Sequence, residues 1–125
     1  MILNLTDLSN EPLQSQIYTQ IRALILADDL KAGEMLPSIR GLARQEKVSV
    51  ITVQRGYEIL ERESLIVSRR GKGFFVSDIH NTRKKELAEE RLSEKIKPII
   101  QLAKNEGMSK EEIIAIIENV INSDL

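Results

Sequence analysis

The side chains with the clearest chemical purpose in this chain are cations, amides and short hydroxyls spaced for holding a polyanion. Arg40 follows two residues after Ser38, whose hydroxyl is of the helix-capping type. A guanidinium there can fork onto guanine O6 and N7 in a DNA major groove, the commonest base-specific contact. Gln54 carries the two-headed amide that pairs with adenine, and Val50 can touch a thymine methyl. Ser49 and Thr52 are short donors near a helix start, suited to phosphate. Arg69-Arg70-Gly71-Lys72-Gly73 places three cations on a tight glycine tip, where they can meet the DNA backbone or reach into the minor groove. Read blandly, Arg40 and Gln54 are solvated helix positions, whereas cations on such a tip have little structural use.

No comparable set points to catalysis. The chain has one histidine, His80, no cysteine, no P-loop and no GxGxxG, and Gly71-Lys72-Gly73 alone is too short a signal for a phosphate loop. The adjacent Asp28 and Asp29 do not converge on one point and fit a loop. Catalytic residues, metal ligands and cofactors are accordingly expected to be none.

The elements that must position the cations lie between Leu36 and Val76. Ile39, Leu42 and Ala43 share one face of a helix over 38–46, and the chain turns through Lys47 and Val48. Ser49 then caps a second helix that buries Val53, Tyr57 and Leu60 and presents Ile51, Gln54, Arg55 and Glu58. After Ser64 the period falls to two, which predicts short strands at 65–67 and 74–76 joined by the basic tip. A helix-turn-helix with a basic hairpin is a winged helix, whose usual work is holding duplex DNA.

Charge is distributed to match. The 125 residues carry a net charge of −1 with a pI near 5.9, which does not look like a nucleic-acid binder. Residues 36–77, however, hold eight Lys and Arg against four Glu, so a positive field is confined to the helix-turn-helix and wing. A hydrophobic content of 42% and charged content of 30% fit a folded soluble protein. No apolar run approaches the roughly 18 residues of a membrane span, and no secretory leader is evident. A cytoplasmic protein without membrane contact is the expectation.

Outside this centre, residues 1–10 predict an extended arm or edge strand. Pro12 opens a helix in which Leu13, Ile17, Ile21, Leu24 and Ile25 keep helical spacing to about Ala27. Beyond the wing a long helix is predicted over 83–105, with Pro98 expected to kink or break it near Lys97. His80 lies in the preceding connection without an evident partner, and Arg83-Lys84-Lys85 reads as a solvated helix start. Gly107 stops the long helix, and Ser109 with Glu112 forms a capping box for a last one. The predicted domains are a winged helix-turn-helix over 1–77 and a helical tail over 78–125. The tail is dense in apolar residues: Leu92, Ile96, Ile99, Ile100, Ala103, Ile113, Ile114, Ile116, Ile117, Val120 and Ile121. Two helices cannot bury all of that against each other, so a second copy of the chain is the simplest cover. The fold class expected is mainly α with a small β wing, ending in a two-helix dimerisation tail.

These residues resemble the GntR family of bacterial transcription regulators, in particular its short YtrA-like subfamily, over almost the whole chain. Pro12-Leu13, Gln16-Ile17 and Ile21-Arg22 are similar to the family's opening helix; Gly33, Leu36-Pro37-Ser38, Arg40 and Leu42-Ala43 to its second. Val48-Ser49, Thr52-Val53, Arg55, Tyr57 and Leu60 follow the third helix, and Gly71-Lys72-Gly73-Phe74-Phe75-Val76 the wing. Leu102-Ala103-Lys104, Gly107-Met108-Ser109 and Glu111-Glu112 resemble the YtrA-type tail. The resemblance implies a dimeric regulator, a repressor, on a palindromic operator. It places Ser38, Arg40, Ser49, Val50, Ile51, Thr52, Gln54, Arg55 and the wing residues Arg69, Arg70, Gly71, Lys72 and Gly73 at the DNA. It also suggests control of transport or envelope-stress genes and leaves a small-molecule effector open.

The chain departs from the pattern at four positions. Val50 and Gln54 stand where the family often has arginine, Lys47 where it usually turns on glycine, and Ala32 where it usually has proline. The alternative reading is a winged helix used for protein assembly, its basic wing holding an acidic partner without specific DNA readout.

Overall fold

Three serine hydroxyls start three helices. Ser38 Oγ accepts the Gly41 N–H at 3.0 Å, Ser49 Oγ the Thr52 N–H at 3.1 Å, and Ser109 Oγ the Glu112 N–H at 3.1 Å. Each satisfies an N–H that the helix itself leaves without a partner. In the computed structural model of the protein, which describes residues 1–123, the helices are α1 (Leu13–Leu26), α2 (Ile39–Glu46), α3 (Val50–Arg62), α4 (Asn81–Asn105) and α5 (Lys110–Asn122). Two strands, β1 (Ile66–Arg69) and β2 (Gly73–Val76), form an antiparallel hairpin. The chain is mainly helical with a small β wing, as expected, although the strands reach further into the tip than the hydrophobic alternation indicated.

Two compact units are present, one from Met1 to Lys84 and one from Lys85 onward. The core of the first is built from Ile17, Ile21 and Ile25 of α1, Leu42 and Ala43 of α2, and Val53, Tyr57 and Leu60 of α3, closed by Leu65, Ile66 and Val76. Each of the large aliphatic side chains contributes about 1.5–3 kcal/mol by leaving water. Helices α1 and α3 come close because residue 56 is glycine. A Cβ there would stand 3.0 Å from Ile17 Cγ2 and 3.3 Å from the Gln14 carbonyl oxygen. Tyr57 hangs its hydroxyl on the Pro37 carbonyl at 2.8 Å and sets its ring edge-on to Phe74, at 5.2 Å between centroids. Burial pushes the Tyr57 phenol well above its usual range. It therefore stays a donor to Pro37 and ties α3 to the chain entering α2.

The wing has a third neighbour. Gly33 N–H bonds the Val76 carbonyl, Val76 N–H the Glu34 carbonyl and Leu36 N–H the Phe74 carbonyl, with Met35 bridged to Phe75. Strand β2 is thus held along both edges, and the hairpin is anchored to the segment that leads into α2.

Four expectations are narrowed or corrected. Of the extended arm or edge strand expected over residues 1–10, no strand forms: residues 1–6 belong to no regular element, and residues 7–10 turn and bend. Their backbone is paired instead by glutamine amides: Gln20 bonds both the N–H and the carbonyl of Asn4, and Gln16 both those of Thr6, at 2.7–3.0 Å. Of the kink or break expected at Pro98, the break does not occur: α4 is continuous from Asn81 to Asn105. The carbonyl that proline leaves without its helical partner belongs to exposed Glu94, where water can reach it. Lys84 is buried and paired with Asp28 rather than solvated. His80 has a partner after all, its Nδ1 accepting the Thr82 N–H at 3.3 Å in the first turn of α4.

Candidate nucleic-acid interface

The turn between α2 and α3 is set by Lys47, which takes a left-handed conformation (φ 56°, ψ 44°) as α2 ends. Val48 N–H closes back onto the Ala43 carbonyl at 3.0 Å. Ser49 and Thr52 then meet at 2.7 Å between hydroxyl oxygens, so both hydroxyls sit at the start of α3, where the helix presents unpaired N–H groups to an anion. With Val53, Tyr57 and Leu60 committed to the core, Val50, Ile51, Gln54, Arg55 and Glu58 are exposed. Val50 and Ile51 are apolar side chains open to solvent at 38% and 53%, which the hydrophobic effect disfavours unless something covers them.

Gln54 is held along the helix by Glu58, its Nε2 donating at 3.1 Å. One Nε2 hydrogen and Oε1 remain, the pair that adenine N7 and N6 need. Ser38 and Arg40 are exposed at the start of α2. Among the described residues, no hydrogen bond or ion pair engages the side chains of Arg40, Arg55, Arg70 or Lys72. Arg69 differs: its guanidinium carbon lies 4.9 Å from the centroid of the Phe75 ring. The tip, Arg70-Gly71-Lys72, is closed by Lys72 N–H on the Arg69 carbonyl at 2.9 Å and is exposed. Every residue that the sequence reading assigned to DNA is thus exposed or, for Thr52, half-exposed. Two residues named only as part of these elements touch that set: Glu58, which holds Gln54, and Phe75, which meets Arg69. Glu58 was legible as an i+4 neighbour, whereas Phe75 required the hairpin register.

The chain matches the family model of bacterial regulatory proteins of the gntR family over residues 13–76. It belongs to the GntR family of DNA-binding transcription regulators. Among curated relatives it is 35% identical to the HTH-type transcriptional regulator YhcF of Bacillus subtilis, over 85% of this chain and 87% of that one. It is 33% identical to the HTH-type transcriptional repressor YtrA of the same organism, over 84% and 81%. Among solved structures, a GntR family transcriptional regulator from Listeria monocytogenes superposes with a TM-score of 0.74 at 29% identity, over 89% of this chain and 96% of that one. The DNA-binding domain of AraR in complex with the operator ORR3 covers 61% of this chain and 95% of its own, with a TM-score of 0.50 at 25% identity. The GntR chain is therefore a regulator rather than an enzyme, and its YtrA-like character extends beyond the winged helix into the tail.

In that tail, α4 is capped beyond Asn105 by Gly107 and Met108, with Met108 N–H on the Ala103 carbonyl at 3.1 Å. The capping box of α5 is complete, Ser109 N–H bonding Glu112 Oε1 at 2.9 Å. These bonds, from the Ser109 backbone and then its hydroxyl, hold the Glu112 carboxyl below its ordinary range. Between the two helices runs a wholly apolar groove of about 470 Å³. All the expected tail residues except Ile114 line it, joined by Met108. Only Ile113 is buried; Leu92, Ile99 and Ile121 remain 64–70% exposed. Among the described residues no helix is long and apolar enough to cross a membrane, and no group of three or more His, Asp or Glu could hold a metal ion.

Proposed function

We infer that this GntR regulator works as a homodimer that represses transcription from a palindromic operator. The observation that carries the reading is the set of exposed cations of α2, α3 and the wing. Arg40, Arg55, Arg70 and Lys72 have no carboxylate of the described chain on them, so their charge is open to a phosphate or a base edge. In this reading Arg40 forks onto a guanine, Gln54 pairs with adenine while Glu58 steadies it, and Val50 and Ile51 cover thymine methyls. Ser38, Ser49, Thr52 and Arg55 take phosphates. Arg69, Arg70 and Lys72 enter or flank the minor groove, with Gly71 and Gly73 giving the tip room to approach. The likeness to AraR, whose domain is described in complex with its operator, supports DNA as the partner. The repressor YtrA supports the sign of regulation.

The second copy follows from the groove. Isoleucines exposed on α4 and α5, with no polar group among the residues lining the channel between them, form a surface that water disfavours and a two-fold partner would cover. A two-fold dimer also fits a palindrome, its recognition helices meeting half-sites about 34 Å apart. By the subfamily resemblance, the regulated genes serve transport or the envelope stress response. Sedimentation equilibrium at micromolar concentration tests the assembly. Twice the chain mass alone, and two chains per duplex when DNA is added, is expected. A monomer that binds one chain per duplex would overturn the dimer.

A further inference from the structure

The three wing cations are not equivalent, and the hairpin register explains why. Ile66 and Val76 are partners and both buried, so the next pair, Val67 and Phe75, faces outward, and Arg69 opposite Gly73 faces outward again. Arg69 and Phe75 are therefore diagonal neighbours on one face, a separation that long and aromatic side chains span. Directly opposite Arg69 there is no side chain to intervene. Gly73 holds φ 117°, a conformation that other residues rarely adopt, and the arginine lies back across that strand until its guanidinium carbon is 4.9 Å from the Phe75 centroid. The backbone that carries the ring is itself fixed, because β2 is hydrogen-bonded along both edges at Phe74 and Val76 and Met35 bridges to Phe75.

We propose that Phe75 is a positioning residue for DNA binding: its ring holds the Arg69 guanidinium in place, so that Arg69 makes a fixed contact while Arg70 and Lys72 supply unfixed charge. The proposal rests on the reading of the wing as a DNA-contacting element. A ring beneath a guanidinium satisfies one flat face of the cation and leaves the N–H donors in its plane open. Those donors point outward in a fork that suits a phosphate or a groove edge. Ordering a free arginine on binding has an entropic cost that a stacked one has largely met beforehand. Arg70 and Lys72, beyond the last strand pair, have no such surface.

The test is a double-mutant cycle between Arg69→Ala and Phe75→Leu, measured by fluorescence anisotropy on a duplex selected from a random pool and on a mixed-sequence duplex of equal length. Thermal midpoints of all variants are recorded alongside. Phe75→Leu alone is expected to weaken binding about two- to five-fold, leaving the salt slope at its wild-type value because no charge is lost. Arg69→Ala is expected to lower that slope by about 0.9, and Phe75→Leu on the Arg69→Ala background to have no further effect. Phe75→Tyr keeps the ring and should retain wild-type affinity. An equal loss from Phe75→Leu with and without Arg69, or a loss in Phe75→Tyr as large as in Phe75→Leu, overturns the positioning role. So does wild-type affinity in Arg69→Ala when Arg70→Ala and Lys72→Ala both weaken binding, a result that leaves the wing reading intact. If none of the three cations matters on either duplex, the wing reading itself falls, and the positioning role with it.

Discussion

Replacing Lys47 by glycine should stabilise the protein. Lys47 is exposed, its side chain meets no partner among the described residues, and its backbone sits at φ 56° in the left-handed region. The position cannot relax, because Val48 N–H closes the end of α2 on Ala43 while Ser49 must begin α3 two residues later. An L-residue in that region is disfavoured by about 1–2 kcal/mol, since its Cβ crowds the following carbonyl. Glycine removes that term and loses about 0.4–1 kcal/mol through the greater freedom of the unfolded chain. The difference, about 0–1.6 kcal/mol, favours Lys47→Gly by about 0.8 kcal/mol at its centre, which in a chain of this size raises the thermal midpoint by about 2–5 °C. Lys47→Ala separates backbone from charge, because it deletes the ammonium and keeps the strained conformation. Circular-dichroism melts at pH 7 should show a rise for Lys47→Gly and none for Lys47→Ala. An unchanged or lowered midpoint in Lys47→Gly, or an equal rise in both variants, would refute the reasoning.

Arg40→Ala should lower affinity for the selected duplex by roughly 1–3 kcal/mol and relax selectivity at one base pair; unchanged affinity would remove Arg40 from the readout. Replacing Arg70 and Lys72 together should weaken all duplexes alike and flatten the salt slope by about 1.8, from two phosphate contacts at about 0.9 each. A loss confined to the selected duplex would contradict that role. Ile116→Glu sets a carboxylate into the apolar groove and should yield monomers by sedimentation, with α-helical content retained; a dimer of wild-type stability would place the interface elsewhere. The Asp28 carboxyl is held below its ordinary 3.8, first by the Lys84 hydrogen bond and then by its charge, and Glu112 below 4.5 by the Ser109 backbone and hydroxyl. Both shifts are depressions, so this stabilisation is full above pH of about 4–4.5 and is lost as pH falls through the folded-state values. The midpoints of Asp28→Asn and Glu112→Gln should accordingly lie below wild type at pH 7 and approach it as pH falls below the ordinary carboxylate range; a gap that stays constant on acidification would contradict the assignment.

Much of the winged helix was legible because its signals are local. Pro12, Ser38 and Ser49 each announce a helix start, and the spacing of Val53, Tyr57 and Leu60 fixes which face of α3 is buried and so which residues are displayed. The exposed site followed from that face. What escaped detection depends on partners distant in sequence. Lys84 reads as solvated until Asp28, 56 residues earlier, is brought beside it. The stretch around Met35 carries no alternation, and its pairing to β2 shows only once Leu36 N–H and the Phe74 carbonyl, 38 residues apart, are brought together. Gln16 and Gln20 look like ordinary surface amides on α1, yet they take the place of a neighbouring strand for the N-terminal arm. Pro98 is the opposite case: α4 runs unbroken through a strong local breaker, and the carbonyl left without its helical partner belongs to exposed Glu94.

The most direct test of the central claim is selection from a pool of random duplexes, sequencing what the protein retains at two salt concentrations. Enrichment of a palindrome with half-sites about one DNA turn apart, persisting at the higher salt, is the expected result. Salt-sensitive retention of every duplex without enrichment, or no retention at either salt, would contradict a sequence-reading dimer and favour a wing that serves protein assembly.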